Sequence, residues 1–346
     1  MNVDNPSQIG WCQMANVSLL QAIRLGARGI HNYATKRPLV VGYEVTLSCN
    51  LNCRHCDLGG IIKDEKQIKP EEYGDLTRRL SPVVVIFSGG EPLLRHDIVA
   101  IVKAVKQTDS TPYLILVTNG MLLSESNYLQ LHEAGVNQFS VSLEFPDERQ
   151  DEFRGRPGLY KHLEQTLPRL AKLRFRNILL NTAINKANLR EILPLAKKAI
   201  EWGIDISYSA YTPLRTKDEG YCLRNGEDLK FLRQAIGELV ALRRRNYRIA
   251  NAEAILLNTL RFFEQGYLPD CSAGVRSLIV MPDGSLVPCS MHRTKYATQK
   301  EMAREFPRTN RCNSCYCGLR SYSELSFLDH ARSIPQYTKR LFARSI

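Results

Sequence analysis

The stretch that decides the fold is Leu39-Val-Val-Gly-Tyr-Glu-Val-Thr-Leu47-Ser-Cys49-Asn-Leu-Asn-Cys53-Arg-His-Cys56, an apolar β-rich run that ends in three cysteines. Residues 39–47 are mostly β-branched, aliphatic or aromatic, the pattern of a strand buried on both faces. Further strands are predicted at Val83–Ser88, Tyr113–Thr118, Gln138–Leu143, Ile178–Ile184 and Asp205–Ala210. Amphipathic helical stretches separate them: Pro70–Leu80, Asp97–Gln107, Ser124–Ala134, Leu159–Leu173 and Leu189–Trp202, with Gly135 and Gly203 stopping two of these just before a strand. Six βα units in succession predict an α/β fold with a parallel sheet, either doubly wound or curled into a partial (β/α)6 TIM-like barrel. In both arrangements chemistry gathers at the C-terminal ends of the strands, where the three cysteines stand.

Outward from this core, residues 14–33 predict a helix with Val17, Leu20, Ile23, Ala27 and Ile30 on one side and Arg24 and Arg28 on its flanks. That helix docks on the barrel, or lies on a membrane surface or a greasy substrate. A long helix is expected at Asp228–Asn246, and a hairpin around Pro282-Asp283-Gly284-Ser285, whose turn is marked by Asp-Gly. The domains expected are a helical extension (1–37), the barrel (38–225), linking helices (226–265) and a small metal-stapled unit with its tail (266–346).

At 346 residues, 44% hydrophobic and 24% charged, the chain can bury a substantial core. No run of about 20 apolar residues suggests a membrane span. The first residues lack the basic-then-apolar order of a secretory signal, so a cytoplasmic protein is expected, with peripheral membrane contact through the first helix as a further option. The formal charge of +12 is compatible with nucleic acid, an anionic membrane or an acidic substrate. Thiolates and iron–sulfur clusters add negative charge that this count omits. The compact basic run Arg243-Arg244-Arg245 is expected on an exposed helix face, which leaves nucleic acid the least favoured partner.

Ten cysteines in a reducing compartment point to metal more than to disulfides. Cys12 and Cys222 stand alone and read as spare thiols or small buried hydrophobes. Cys49, Cys53 and Cys56 are spaced to wrap one face of a [4Fe–4S] cube. A structural zinc site asks for four ligands in close pairs, and no fourth cysteine or histidine completes one here. Three ligands on four irons leave one iron open to bind something else.

Cys-x3-Cys-x2-Cys on the loop after the first strand resembles the hallmark of the radical S-adenosylmethionine (SAM) family. The resemblance implies that the open iron is chelated by the amino and carboxylate groups of SAM, and that an electron from the cluster breaks the S–C5′ bond to give a 5′-deoxyadenosyl radical. His55 fills the place where the family has an aromatic residue near adenine. Ser88-Gly89-Gly90-Glu91-Pro92 resembles the motif in which glycines let the backbone approach and the glutamate receives the methionyl ammonium. Thr118-Asn119-Gly120 matches a common turn after the third strand. Ser142-Leu143-Glu144 ends the fourth, where polar residues meet the ribose; many members have aspartate in place of Glu144. Phe153-Arg154-Gly155-Arg156-Pro157-Gly158 resembles a segment of members with a C-terminal cluster domain, where Arg154 balances a carboxylate or braces a loop.

Cys271 and Cys289 flank the expected hairpin, and Cys312, Cys315 and Cys317 follow. This resembles the SPASM and twitch extensions of the family, with too few cysteines for the two clusters of a full SPASM unit. The resemblance implies one auxiliary [4Fe–4S] cluster on Cys271, Cys289, Cys312 and Cys315, with Cys317 competing for the last place. A zinc site on four of the five thiols is the alternative.

The reaction implied is hydrogen abstraction from an unactivated C–H bond of a peptide, sugar, nucleoside, other small molecule or lipid-like substrate. An auxiliary cluster would support oxidation or bond formation, and a flavodoxin- or ferredoxin-type protein would supply electrons. Two other readings stay open. One is an adenosyl-radical addition transferase acting on an unsaturated lipid-like substrate; the other is a non-catalytic metal-binding scaffold.

Overall fold

Alternation along the strands decides which side of the sheet carries helices. The chain runs α1 (Leu19–Thr35), β1 (Val40–Thr46), α2 (Pro70–Leu80), β2 (Val84–Gly89), α3 (Ile98–Lys106), β3 (Tyr113–Thr118), α4 (Glu125–Ala134) and β4 (Gln138–Ser142). It continues through α5 (Arg149–Arg154), α6 (Leu159–Ala171), β5 (Ile178–Ile184), α7 (Ile192–Trp202), β6 (Asp205–Ala210), α8 (Gly226–Asn246) and α9 (Glu253–Gln265). The order closes with β7 (Ser277–Val280), β8 (Leu286–Val287), α10 (Gln299–Thr309) and α11 (Gly318–Ser323). The computed structural model describes residues 18–325 except Ser110, Arg174 and Tyr247, and not the side chains of Leu19 and Asn246.

The sheet order is β6-β5-β4-β3-β2-β1-β7-β8, open at both edges and parallel except for the antiparallel β7–β8 pair. Its six leading strands are those expected from the apolar runs. The sheet is the partial barrel side of the expectation. Tyr43 turns its hydroxyl to Thr77 of α2, and Tyr208 donates to the Ile192 carbonyl of α7 at 2.7 Å. Val41, Tyr43, Val45, Val85, Phe87, Leu114, Leu116, Leu180 and Ile206 share that outer core with the helices. The alternate positions, among them Glu44, Ser88, Ser142, Asn181 and Ser207, therefore face inward.

Three features add to or depart from the expectations. The strand before the Asp-Gly turn pairs in parallel with β1, Val40 opposite Ser277, so the hairpin extends the barrel sheet. The turn itself is as expected, with Met281 N–H donating to the Ser285 carbonyl at 2.9 Å and Gly284 at a φ of +81°. Leu20, Ile23 and Ile30 of α1 point outward, each more than half exposed; the helix is anchored by buried Asn32, which donates to the Pro38 and Ser81 carbonyls. Arg243 is buried, and its Nε donates to the Asn251 carbonyl at 2.7 Å, whereas Arg244 and Arg245 are exposed. No described helix is long and apolar enough to cross a membrane. Cys12, Val17, the start of the helix expected at 14–33 and the tail after Leu325 lie outside the described residues.

Candidate active site

The cysteine loop leaves β1 at Thr46 and is closed at its base before it reaches the thiols. Cys49 N–H donates to the Gly60 carbonyl at 2.9 Å, Ile62 N–H to Ser48 Oγ at 2.9 Å, and Leu47 N–H to Glu65 Oε1 at 2.6 Å. Cys49 and Cys53 are buried and Cys56 half-buried. Each sulfur has an N–H donor of its own. Asn119 Nδ2 stands 3.9 Å from Cys49 Sγ, Arg154 Nη1 donates to Cys53 Sγ at 3.6 Å, and Leu58 N–H donates to Cys56 Sγ at 3.4 Å. Burial pushes the Cys49 and Cys53 thiols up, while Arg154 pulls Cys53 back down. Buried sulfurs that each receive a donor fit negatively charged thiolates, and thiolates are what iron–sulfur clusters require. No three His, Cys, Asp or Glu groups converge at single-ion spacing among the described residues.

The β2 end presses directly on this loop. Gly90 N–H donates to the Thr46 carbonyl at 2.8 Å and Glu91 N–H to the Ser48 carbonyl at 2.9 Å. Gly89 adopts a φ of +117°, and a side chain at Gly90 would collide with Ser48 backbone. Buried Pro92 opens a short turn that directs the chain away.

Glu91 is fully buried, and its carboxylate joins the β2 end to the β3 end. Oε1 accepts from Thr118 Oγ1 at 2.8 Å and Leu93 N–H at 3.0 Å; Oε2 accepts from Asn119 N–H at 2.7 Å. The sequence reading placed Glu91 toward an incoming ammonium, whereas here its oxygens are engaged by the protein. Burial pushes its carboxyl up to about 6, with these hydrogen bonds opposing the rise. A carboxyl raised on folding binds its proton more tightly in the folded state. It therefore favours folding in acid, and that contribution is lost as pH rises through about 6. In urea titrations of the metal-free protein, Glu91 is expected to cost on the order of 2 kcal/mol between acid and neutral pH. Glu91→Gln should flatten this part of the profile; an unchanged slope would contradict the assignment.

Asn119 spans three partners: Nδ2 reaches Asn50 Oδ1 at 2.8 Å as well as Cys49, and Oδ1 accepts Met121 N–H at 2.9 Å. After β4, Glu144 and Arg154 form a buried two-pronged ion pair at 2.7 and 2.5 Å. Burial opposes the charge on Arg154, but Glu144 and Cys53 hold the guanidinium above its ordinary value. The pair is a salt bridge that ties the end of α5 to the end of β4. Gln150, which the sequence gave no reason to single out, accepts the Glu144 and Phe145 N–H groups at 2.9 and 3.1 Å. His55 is stacked on Phe153 at 4.6 Å with its Nδ1 unpartnered, and burial, then Arg154, holds its pKa well below the ordinary value. A neutral ring results. Ser142 is placed at the lumen side of β4, and its carbonyl accepts Gln150 Nε2 at 3.4 Å.

The five late cysteines also share one region. The thiols of Cys312 and Cys315 are hydrogen-bonded, as are those of Cys315 and Cys317, and Cys271 and Cys289 lie within electrostatic reach of them. Burial pushes Cys289 up to about 12. His292, unremarked in the sequence, bridges back to Cys289 through its backbone and hydrogen-bonds Cys312 through its ring. Buried Arg320 organises the unit: it donates to the Cys315 carbonyl at 2.7 Å, the Leu268 carbonyl at 2.9 Å and Glu324 at 2.8 Å. The five thiols thus lie in one region, although no three of them converge at single-ion spacing.

Comparison with known proteins agrees with this arrangement. Residues 43–199 match the family model described as the radical SAM superfamily. A curated relative from Methanosarcina barkeri, named AdoMet-dependent heme synthase, is 34% identical over 180 residues, 49% of either chain. A GTP 3′,8-cyclase from Saccharophagus degradans is 30% identical over 50% of this chain and 54% of that protein. The chain thus spans about half the length of the curated relatives it matches. Among solved structures, Streptococcus suis SuiB bound to its precursor peptide SuiA aligns with a TM-score of 0.58 at 18% identity, over 98% of this chain and 74% of that one. A structure titled anSMEcpe with bound AdoMet aligns with a TM-score of 0.58 at 17% identity, over 89% of this chain and 97% of that one. At those identities the likeness is one of fold, and it agrees with the open parallel barrel. The stretch from within β1 to within α7, with the cysteine loop inside it, is thus similar to the radical SAM superfamily.

Proposed function

We propose that Cys49, Cys53 and Cys56 hold the [4Fe–4S] cluster, and that the enzyme uses SAM to abstract a hydrogen atom from an unactivated C–H bond of a polar substrate. The observation that carries this reading is the single N–H donor on each of the three sulfurs at the C-terminal mouth of the barrel. When bound, cluster and SAM supply an electron and a 5′-deoxyadenosyl radical; the protein supplies placement. Gly89 and Gly90 keep side chains out of the crossing between the β2 end and the cysteine loop. Glu91 locks the β2 and β3 ends together, and Arg154 holds positive charge against Cys53 while its other nitrogens are tied to Glu144. Neutral, stacked His55 offers a flat wall beside Cys56.

The inward strand positions favour a polar substrate over a purely hydrocarbon one. Glu44, Ser88, Ser142, Asn181 and Ser207 are polar, although the Glu44 carboxylate is already engaged by Ser290 Oγ at 2.6 Å and by Arg293 at 3.9 Å. A peptide is the member of this class that the SuiB likeness suggests. A flavodoxin- or ferredoxin-type protein would deliver the electron. The late thiols would hold an auxiliary [4Fe–4S] cluster on Cys271, Cys289, Cys312 and Cys315, with Cys317 as the competing ligand.

Anaerobic reconstitution with iron and sulfide tests both assignments at once. About eight irons per chain are expected, and about four would leave only one cluster. Replacing Cys49, Cys53 and Cys56 with alanine together should remove about four irons and all SAM cleavage to 5′-deoxyadenosine. SAM cleavage that persists in this variant would refute the reading.

A further inference from the structure

The loop that follows β6, residues 211–222, reaches the cysteine loop by two separate routes. Phe153 packs edge-on against Tyr221 at 5.7 Å and stacks on His55, the residue before Cys56; Tyr221 in turn meets Tyr211 at 5.7 Å. On the other flank of Cys56, Asp57 pairs with Arg215 at 2.5 Å, and the Arg215 side chain is only 20% exposed. Arg215 Nε and Nη2 are buried and make no hydrogen bond, so the contact with Asp57 is a close charge pair and not an aligned hydrogen bond. The loop is braced from within by Tyr211 Oη, which donates to the Asp218 carbonyl at 2.9 Å, and from the end of β5 by Lys186 N–H, which donates to the Tyr221 carbonyl at 2.8 Å.

The same loop is held from the far side by the late cysteine segment. Thr212 Oγ1 donates to the Ser314 carbonyl at 2.8 Å, and Ala210 N–H to the Tyr316 carbonyl at 3.3 Å. Ser314 and Tyr316 flank Cys315. Just beyond, α11 packs against β6 at one edge of the open barrel and against β1 and β7 at the other. The loop thus touches Ser314, beside Cys315, through Thr212 and, three residues further on, Asp57, beside Cys56, through Arg215.

We propose that Arg215 is a positioning residue for SAM chemistry: the β6 loop brackets Cys56 from both flanks and ties its placement to the C-terminal cysteine unit. The inference rests on Cys56 being a ligand of the SAM-binding cluster. Arg215 acts through Asp57 and touches no reacting atom. A contact of this kind changes how SAM seats on the cluster without being needed for iron to enter.

The test uses the full-length chain, reconstituted anaerobically, with SAM as the probe. Iron content, SAM affinity by equilibrium dialysis and the EPR signal of the reduced protein with and without SAM are compared for Arg215→Ala, Arg215→Lys, Thr212→Val and Arg215→Ala with Thr212→Val. Arg215→Ala is expected to keep its iron, bind SAM about fivefold more weakly and show a smaller SAM-induced EPR change, with Arg215→Lys partly restoring both. Thr212→Val should shift both readouts in the same direction by less. The double variant should be no worse than Arg215→Ala alone, because the two contacts act in series. Unchanged SAM binding and EPR in Arg215→Ala with iron intact would overturn this inference alone. A failure of the unsubstituted protein to take up iron would overturn it together with the cluster assignment. If Arg215→Ala does not fold, Arg215→Lys and the charge-swapped pair Asp57→Arg with Arg215→Asp decide the matter by the same readouts, and normal SAM binding in Arg215→Lys with none regained in the swap would count against the bracket.

Discussion

Gly90→Ala is expected to empty the first cysteine loop of iron while the rest of the barrel stays folded. A Cβ at this position would lie 2.0 Å from the Ser48 carbonyl oxygen, 2.5 Å from its carbon and 2.7 Å from the Leu47 oxygen. All three atoms are backbone, and none can swing aside as a side chain would. Two hydrogen bonds, from Gly90 and Glu91 N–H to Thr46 and Ser48, pin the same crossing. The loop must therefore move, and Cys49 moves with it. Iron per reconstituted chain should fall from about eight to about four, with SAM binding lost. Full iron in Gly90→Ala would show that the crossing has slack and that the glycine serves another end.

Arg154→Met is expected to be the most destabilising single change at the site. It would leave the Glu144 carboxylate buried and unpaired, which typically costs about 3–5 kcal/mol. It would also strip Cys53 of its donor. Urea unfolding of the metal-free protein measures the first effect. Changing both partners, Glu144→Gln with Arg154→Met, should recover a large part of it, because neither charge then remains stranded. If the double variant is as unstable as the single one, Arg154 matters through its packing and not through its charge.

Most of the barrel was legible because parallel strands buried on both faces leave near-continuous apolar runs, and the amphipathic stretches between them carry their own stops. Ser124 caps α4 as its sequence suggests, accepting Asn127 N–H, and Gly203 ends α7 at a φ of +71°. The join of β7 to β1 was hidden because four residues, Ser277–Val280, read equally well as half of a free hairpin. Arg243 looked exposed because a basic triplet gives no sign that one member turns inward to an Asn251 carbonyl. For α1 both directions stayed open, because periodicity finds a stripe and not the direction in which it points. At the site, spacing and strand-end position picked out Cys49, Cys53 and Cys56, and the resemblance to a known family added Glu91 and Arg154. Gln150, His292 and the Asp57–Arg215 pair were invisible, since each acquires its meaning only from a partner that folding brings alongside.

The seating of β7 beside β1 has a consequence for how the chain comes to be folded. Val40 acquires its second strand neighbour only when Ser277 arrives, so the strand carrying the cysteine loop remains a sheet margin through most of synthesis. The conformational cost of that late closure is modest, about 0.6 kcal/mol for each doubling of the intervening length, but the delay leaves unpaired N–H and C=O groups open to other chains. A nascent chain that stops short of residue 277 should be aggregation-prone along β1, and soluble yield should rise sharply once the β7 segment has emerged.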